Sequence, residues 1–183
     1  MRYSLALATL MIVVLTACNP DKKKKVDQTT ISFTTNDASK LFFKNVRQSY
    51  YDLEEMEAAK MEIYRLKKRS ESQERPVINI AIVNNWRYDE AYLVLEPNGR
   101  LNLAALKITW KNSETGESGS ISFENGNKES IVHFADQIYD HIQDGSQFTA
   151  IINDGEESIL ELAEDREAFR ITMVDYYRLV QRL

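Results

Sequence analysis

Two histidines, His133 and His141, share a segment with Asp136, Asp140 and Asp144. Imidazole and carboxylate are good ligands for divalent metals, so this grouping is the first candidate for chemistry. Helical geometry argues against it. At about 100° per residue, Val132, Phe134, Ala135, Ile138, Tyr139 and Ile142 make an apolar side, and the histidines and aspartates fall on the opposite, solvated one. His133 and Asp140 lie two turns apart and nothing in the pattern encloses an ion, so neither a metal nor any other cofactor is expected.

A second candidate is "NNWRYDEAY", Asn84 to Tyr92, which joins two apolar strands and sets Trp86, Arg87 and Tyr88 among amides and acids. Tryptophan, tyrosine and arginine dominate the energetic centres of protein interfaces, so Trp86, Arg87 and Tyr88 are the candidate binding residues. The competing reading has Trp86 folded onto the core as a lid and Arg87 paired with Asp89 or Glu90.

The acidic run "NDGEES" with Glu161, Glu164, Asp165 and Glu167 invites calcium, but the EF-hand spacing fails. Taking Gly155 as its glycine puts Ala150 and Ile152 at the first two ligand positions. A helix start rich in acid is what the helix dipole favours in any case. Nucleophilic catalysis has no support either: there is no G-x-S-x-G, no glycine-rich phosphate loop, and no cysteine other than Cys18. The formal net charge of -5 argues against nucleic acid as a partner. No catalytic residue is assigned.

The elements that must position these groups read as follows. Phe42, Val46, Tyr50 and Leu53 recur at helical spacing after Thr/Asn/Asp cap candidates, which predicts a helix over 37 to about 53 with that stripe inward. "KMEIYRLKKR" reads as a strand. "PVINIAIVN" is apolar on both faces, as a doubly buried strand would be, and "AYLVLE" is similar. "LKITWKN" alternates, with Leu106, Ile108 and Trp110 inward, and "SISFEN" pairs with it across "SETGESG". Asn127 caps a helix through about Gln143; strands "QFTAII" and "SILEL" follow around the turn "NDGE". A last helix begins near Asp165 with the stripe Phe169, Met173, Tyr176 and Val180. The expected class is α+β: a mainly antiparallel sheet with N-terminal, inserted and C-terminal helices packed on one face.

The N-terminus carries its own pattern. Arg2 precedes an apolar run from Leu5 to Ala17 that ends abruptly in "CNPDKKKK". The run falls short of the roughly 20 residues a membrane-spanning helix needs and matches a secretory signal peptide. Leu15, Thr16, Ala17 and Cys18 resemble, position by position, the lipobox of bacterial lipoproteins. That resemblance covers the first tenth of the chain. It implies that a signal peptidase cuts before Cys18 and that Cys18 carries a diacylglyceryl group and often an acylated amino group. Each buried methylene contributes about 0.8 kcal/mol, so two or three long chains hold a protein at a bilayer. Asn19 in place of Asp after the cysteine implies, by resemblance to enterobacterial sorting signals, the outer membrane, and the lysines that follow, where surface-exported lipoproteins of some groups carry acidic residues, imply a position facing the periplasm.

The chain therefore divides into a signal peptide (1–17), a lipidated tether (18–31) that is lysine-rich and without apolar period, and one α+β domain (32–183) held by a noncovalent core. With no disulfide partner for Cys18 and no catalytic motif, the expected function is a lipid-anchored cell-envelope module that binds a protein. A carboxylate-based envelope hydrolase and an immunity-like protein are the alternatives. Replacing Cys18 with Ala should leave an unprocessed or soluble form, and mass spectrometry of the mature protein should find Cys18 acylated at its N-terminus; an unmodified Cys18 there would remove the lipoprotein reading.

Overall fold

The computed structural model describes residue 26 and residues 31–123, 126–152 and 155–183. Cys18 and the apolar run before it lie outside the described residues, as does part of the expected turn "NDGE".

Asn36 opens the first helix, α1 (Asp37–Phe42), through a capping box: its side chain accepts from the Ser39 amide at 2.7 Å while the Ser39 hydroxyl accepts from the Asn36 amide at 3.2 Å. The helix then loosens into a π-helical turn, Phe43–Arg47, and tightens into a 3-10 turn, Gln48–Tyr50. The expected helix stops there, because Tyr51 adopts extended backbone and starts β1 (Tyr51–Met56). Strands β2 (Met61–Leu66), β3 (Ile78–Asn85) and β4 (Glu90–Pro97) complete an antiparallel four-stranded sheet in the order β1-β2-β3-β4.

The phase of the first helix departs from expectation. Leu41, Phe42, Val46 and Tyr50 are 61%, 44%, 48% and 53% exposed, while Phe43 and Tyr51 are buried. The inward row is Phe43, Arg47 and Tyr51, one residue out of step with the expected stripe of Phe42, Val46 and Tyr50. Both rows have helical spacing, and Arg47 decides between them. Its guanidinium meets Asp175, a buried carboxylate, with Nε at 2.8 and 2.9 Å from the two oxygens, and the Tyr51 hydroxyl donates to the same carboxylate at 2.7 Å. An unpaired carboxylate in the core costs far more than four exposed apolar side chains on the surface.

Where the sequence suggests one sheet, the strands form two. β5 (Lys107–Lys111), β6 (Ser118–Ser122), β7 (Gln147–Ile152) and β8 (Gly155–Ile159) make a second antiparallel sheet in the order β6-β5-β7-β8. β5 is antiparallel to both neighbours, so β6 and β7 run parallel and need a crossover between them. Helix α2 (Lys128–Gln143), capped by Asn127 as expected, supplies it and packs on β4, β6 and the last helix, α3 (Ala163–Leu179). The start of β4 is already paired, since Thr34 bridges to Glu90 and the Ala91 amide donates to the Phe33 carbonyl at 2.8 Å.

One buried cluster draws on both sheets and both long helices. Ile78, Ile80 and Ile82 of β3 face it, together with Ile108 and Ile121 of the second sheet, Val132, Phe134 and Ile138 of α2, and the stripe Phe169, Met173, Tyr176 and Val180 of α3. Ala81 and Val83, on the other side of β3, are buried too, as expected for a strand covered on both faces. Arg65 stands opposite Ala81 in register and reaches Glu54 at 2.6 Å and Glu96 at 2.7 Å, so a charged network with an apolar stem roofs that side. Val26, Ile31 and Phe33 are partly buried against the cluster, two of them within the expected tether. The fold is α+β.

Asp136 departs from the expected solvated face of α2. It is buried, accepting from the Tyr177 hydroxyl at 2.8 Å and from Arg182 Nη2 at 2.9 Å, and Arg182 is itself buried. Burial pushes the Tyr177 hydroxyl pKa well up, with Asp136 adding to it, so the phenol stays a donor. This triad locks the end of the chain to α2. Replacing Asp136 with Ala takes the carboxylate from a buried guanidinium and should cost about 3 to 5 kcal/mol in urea unfolding, with an apolar pair at positions 136 and 182 recovering most of it; a loss below about 1 kcal/mol would show that the pair is dispensable.

Candidate functional site

β3 and β4 are joined by a four-residue turn, Trp86 to Asp89, closed at Asp89 by left-handed backbone (φ 52°). The turn is tied down from two sides. Lys40 of α1 donates to Asp89 Oδ1 at 2.7 Å, and the Trp86 amide donates to the Lys60 carbonyl at 3.2 Å. Lys60 occupies the tight turn between β1 and β2, also with left-handed backbone, and its ammonium stands 4.7 Å from the centre of the Trp86 ring.

Trp86 is 47% exposed and Tyr88 63% exposed, so neither folds back as a lid on the core. Arg87 is exposed beside Tyr88, its guanidinium 5.5 Å from that ring. The carboxylates expected to pair with it are taken elsewhere: Asp89 accepts from Lys40, and Glu90 from Lys128. The structure thus leaves all three sequence-derived residues at the surface and puts Trp86 on a cavity.

That cavity, of about 650 Å³, opens between the first helix, the β1–β2 hairpin and Trp86. Phe43 and Lys44 line it from the π-helical turn, Met61 and Tyr64 from β2, and Leu179 from the end of α3. α1 and α3 are pinned together at this wall, since the Ser39 hydroxyl donates to the Leu179 carbonyl at 2.8 Å and so satisfies one of the carbonyls a helix end leaves open. A cavity of this size is within the range of ligand sites, about 300 to 1,000 Å³.

Its polar lining is ordered. Glu62 on β2 accepts from the Tyr64 hydroxyl at 2.9 Å and from the side-chain amide of Asn84, its register partner on β3, at 2.9 Å. Burial, then the hydrogen bond to Glu62, pushes the Tyr64 pKa up, which keeps its proton on the phenol. Asn84 is nine-tenths buried, and its carbonyl oxygen Oδ1 has no hydrogen-bond partner among the described residues. A buried acceptor without a donor costs about 1 to 3 kcal/mol, and because this oxygen is itself closed to solvent, a guest could reach it only after the wall of the cavity had shifted. Glu55 and Glu57 line the same cavity against Lys40, Lys44 and Lys60, which suits a polar, hydrogen-bonding guest over a purely apolar one.

Glu62, Tyr64 and Asn84 are the site residues that sequence reasoning misses. Their signal lay in "VNN": an asparagine at a position where the preceding pattern of β3 demands an apolar residue. Without the register to β2, nothing in the sequence says that Glu62 answers it.

The histidine grouping is taken apart by the fold. His141 stacks on Trp110, with ring centres 3.6 Å apart and planes at 23°, and burial lowers its pKa against the opposing pull of Asp144 and Asp140. Gly119 makes room for that indole: a Cβ there would lie 2.9 Å from Trp110 Nε1. Asp136 is held by Arg182, and His133 points to solvent. Among the described residues no group of three or more histidine, cysteine or carboxylate side chains could hold a metal ion, and no helix is long and apolar enough to cross a membrane. A chelator should leave the melting temperature unchanged in a thermal-shift measurement; a drop of several degrees would reveal a structural metal.

Comparison with protein families, with curated proteins and with solved structures finds no match to this chain.

Proposed function

We propose that this protein is a lipid-anchored component of a bacterial cell envelope, held through Cys18 at the outer membrane and facing the periplasm, and that its domain captures a protein partner at the cavity beside Trp86 without catalysing a reaction. The observation that carries the binding reading is an exposed tryptophan at the rim of a cavity lined by both charged and apolar side chains. An interface anchor must hold its water until the partner arrives, and Trp86 does so at the rim.

The chemistry of the guest follows from the lining. A loop or extended segment of a partner can place an apolar side chain against Phe43, Met61 and Trp86 and polar groups against Glu55, Glu57 and Lys44. Glu62 already accepts from two donors on neighbouring strands, which gives it a structural task and makes it a poor acid or base for the alternative, a carboxylate hydrolase. An immunity-like role differs only in the identity of the protein captured.

Because Trp86 is half exposed and carries only the Lys60 ammonium on its face, Trp86→Ala should cost less than about 1 kcal/mol in urea unfolding. The same change should weaken partner capture by 2 kcal/mol or more, about thirtyfold, in a titrated pull-down of the acylated protein from native membranes. A stability loss of roughly 3 to 5 kcal/mol, the value for a core tryptophan, with capture unchanged would remove this surface as the binding site.

A further inference from the structure

The segment Ala38 to Tyr50 is chemically unlike the rest of the chain. It holds Lys40, Lys44 and Arg47 and no acidic residue, within a protein of net charge -5. Its inward row is committed: Phe43 is buried, Arg47 pairs with Asp175 and Ser39 reaches the Leu179 carbonyl. What remains outside is the apolar ridge Leu41, Phe42, Val46 and Tyr50. Lys44 beside it is exposed, and Lys67, also exposed, donates to the Ser49 carbonyl at 2.9 Å and so adds a cation next to Tyr50. Single exposed apolar residues are ordinary, but Phe42, Val46 and Tyr50 in one row with Leu41 next to it, flanked by Lys44 and Lys67 and with the exposed Asp37 one turn before Leu41, mark an interaction surface. A basic amphipathic helix of this kind suits a lipid surface.

We propose that this ridge seats on an anionic phospholipid surface, with Leu41, Phe42, Val46 and Tyr50 entering the headgroup boundary and Lys44 and Lys67 facing lipid phosphates. The proposal builds on the lipid anchor at Cys18. Phe33 to Thr35 are pinned to the start of β4, directly ahead of α1, so the chain coming from Cys18 enters the domain at the base of the ridge. Val26 already packs against the core, so the chain between Cys18 and the domain is short, and its sequence carries Lys22 to Lys25, four cations close to the anchor. The anchor holds this face at the bilayer, and the ridge converts a swinging tether into a fixed orientation. Lys44 also lines the cavity, so docking would set the cavity's mouth at a defined height above the lipid.

The test uses the full-length acylated protein with Val46→Cys carrying an environment-sensitive dye, reconstituted in vesicles of phosphatidylcholine or of phosphatidylcholine mixed with phosphatidylglycerol; Tyr50→Cys is the second probe. Expected is a blue-shifted emission in the anionic vesicles that molar salt reverses, with the docked population roughly fivefold lower for each cation removed. Mass spectrometry of the same sample reads Cys18 independently. Acylated Cys18 with emission unchanged between vesicles and solution overturns the ridge while leaving the anchor intact; a salt-sensitive shift that persists when Cys18 is replaced by Ala upholds the ridge and shows that it acts without the anchor. A shift that needs no lipid and grows with protein concentration overturns the proposal by assigning the ridge to a second copy of the chain.

Discussion

A carboxylate inside a protein core must be answered by a cation or by several donors, and Asp175 is the one on which this structure turns. Its partners come from far away in sequence: Arg47 from the π-helical turn and Tyr51 from the first residue of β1. That pairing selects the rotational phase of the N-terminal helical segment. With Arg47 drawn inward, Phe43 goes into the core and Phe42, Val46 and Tyr50 face out. Both surfaces to which function is assigned follow from that choice, since Phe43 and Lys44 wall the cavity and the displaced residues make the ridge.

Helix α3 is the frame for this arrangement. Besides Asp175 it carries Asp165, which takes Arg75 from the chain ahead of β3, and Tyr177, which with Arg182 holds Asp136 of α2. Three buried carboxylates thus tie three separate elements to one helix. Such pairs add little net stability over a well-packed apolar core, because desolvation offsets most of their attraction. Their effect here is on register. An apolar contact tolerates sliding by a turn or a residue, whereas a guanidinium placed one residue out of step leaves a charge buried alone.

The cavity owes its polarity to the same logic on a smaller scale. β2 and β3 place Glu62 opposite Asn84, so the amide has a partner for its N–H while its oxygen has none. An apolar residue at position 84 would close the strand end more cheaply. Asn84 instead gives the cavity wall a buried polar group, and the exposed Trp86 two residues later gives the rim its apolar surface.

Much of this protein is local and therefore legible in its sequence. The strands β3, β4, β5 and β7, the caps at Asn36 and Asn127 and the buried stripe of α3 follow from period and turn chemistry, which depend on near neighbours. The signal-peptide pattern and the lipobox resemblance at Cys18 are likewise matters of adjacent residues. Tertiary structure alone decided the rest. It divided the strands into two sheets, because which strand β5 joins depends on where α2 crosses. It buried Asp136, which helical periodicity places on the wet face, because Arg182 arrives from the end of the chain. It turned the first helix by one residue, because two rows of equal spacing compete there and only the distant Asp175 distinguishes them. In each case the deciding partner is a charge or an edge more than 40 positions away, and a pattern confined to one element carries no information about it.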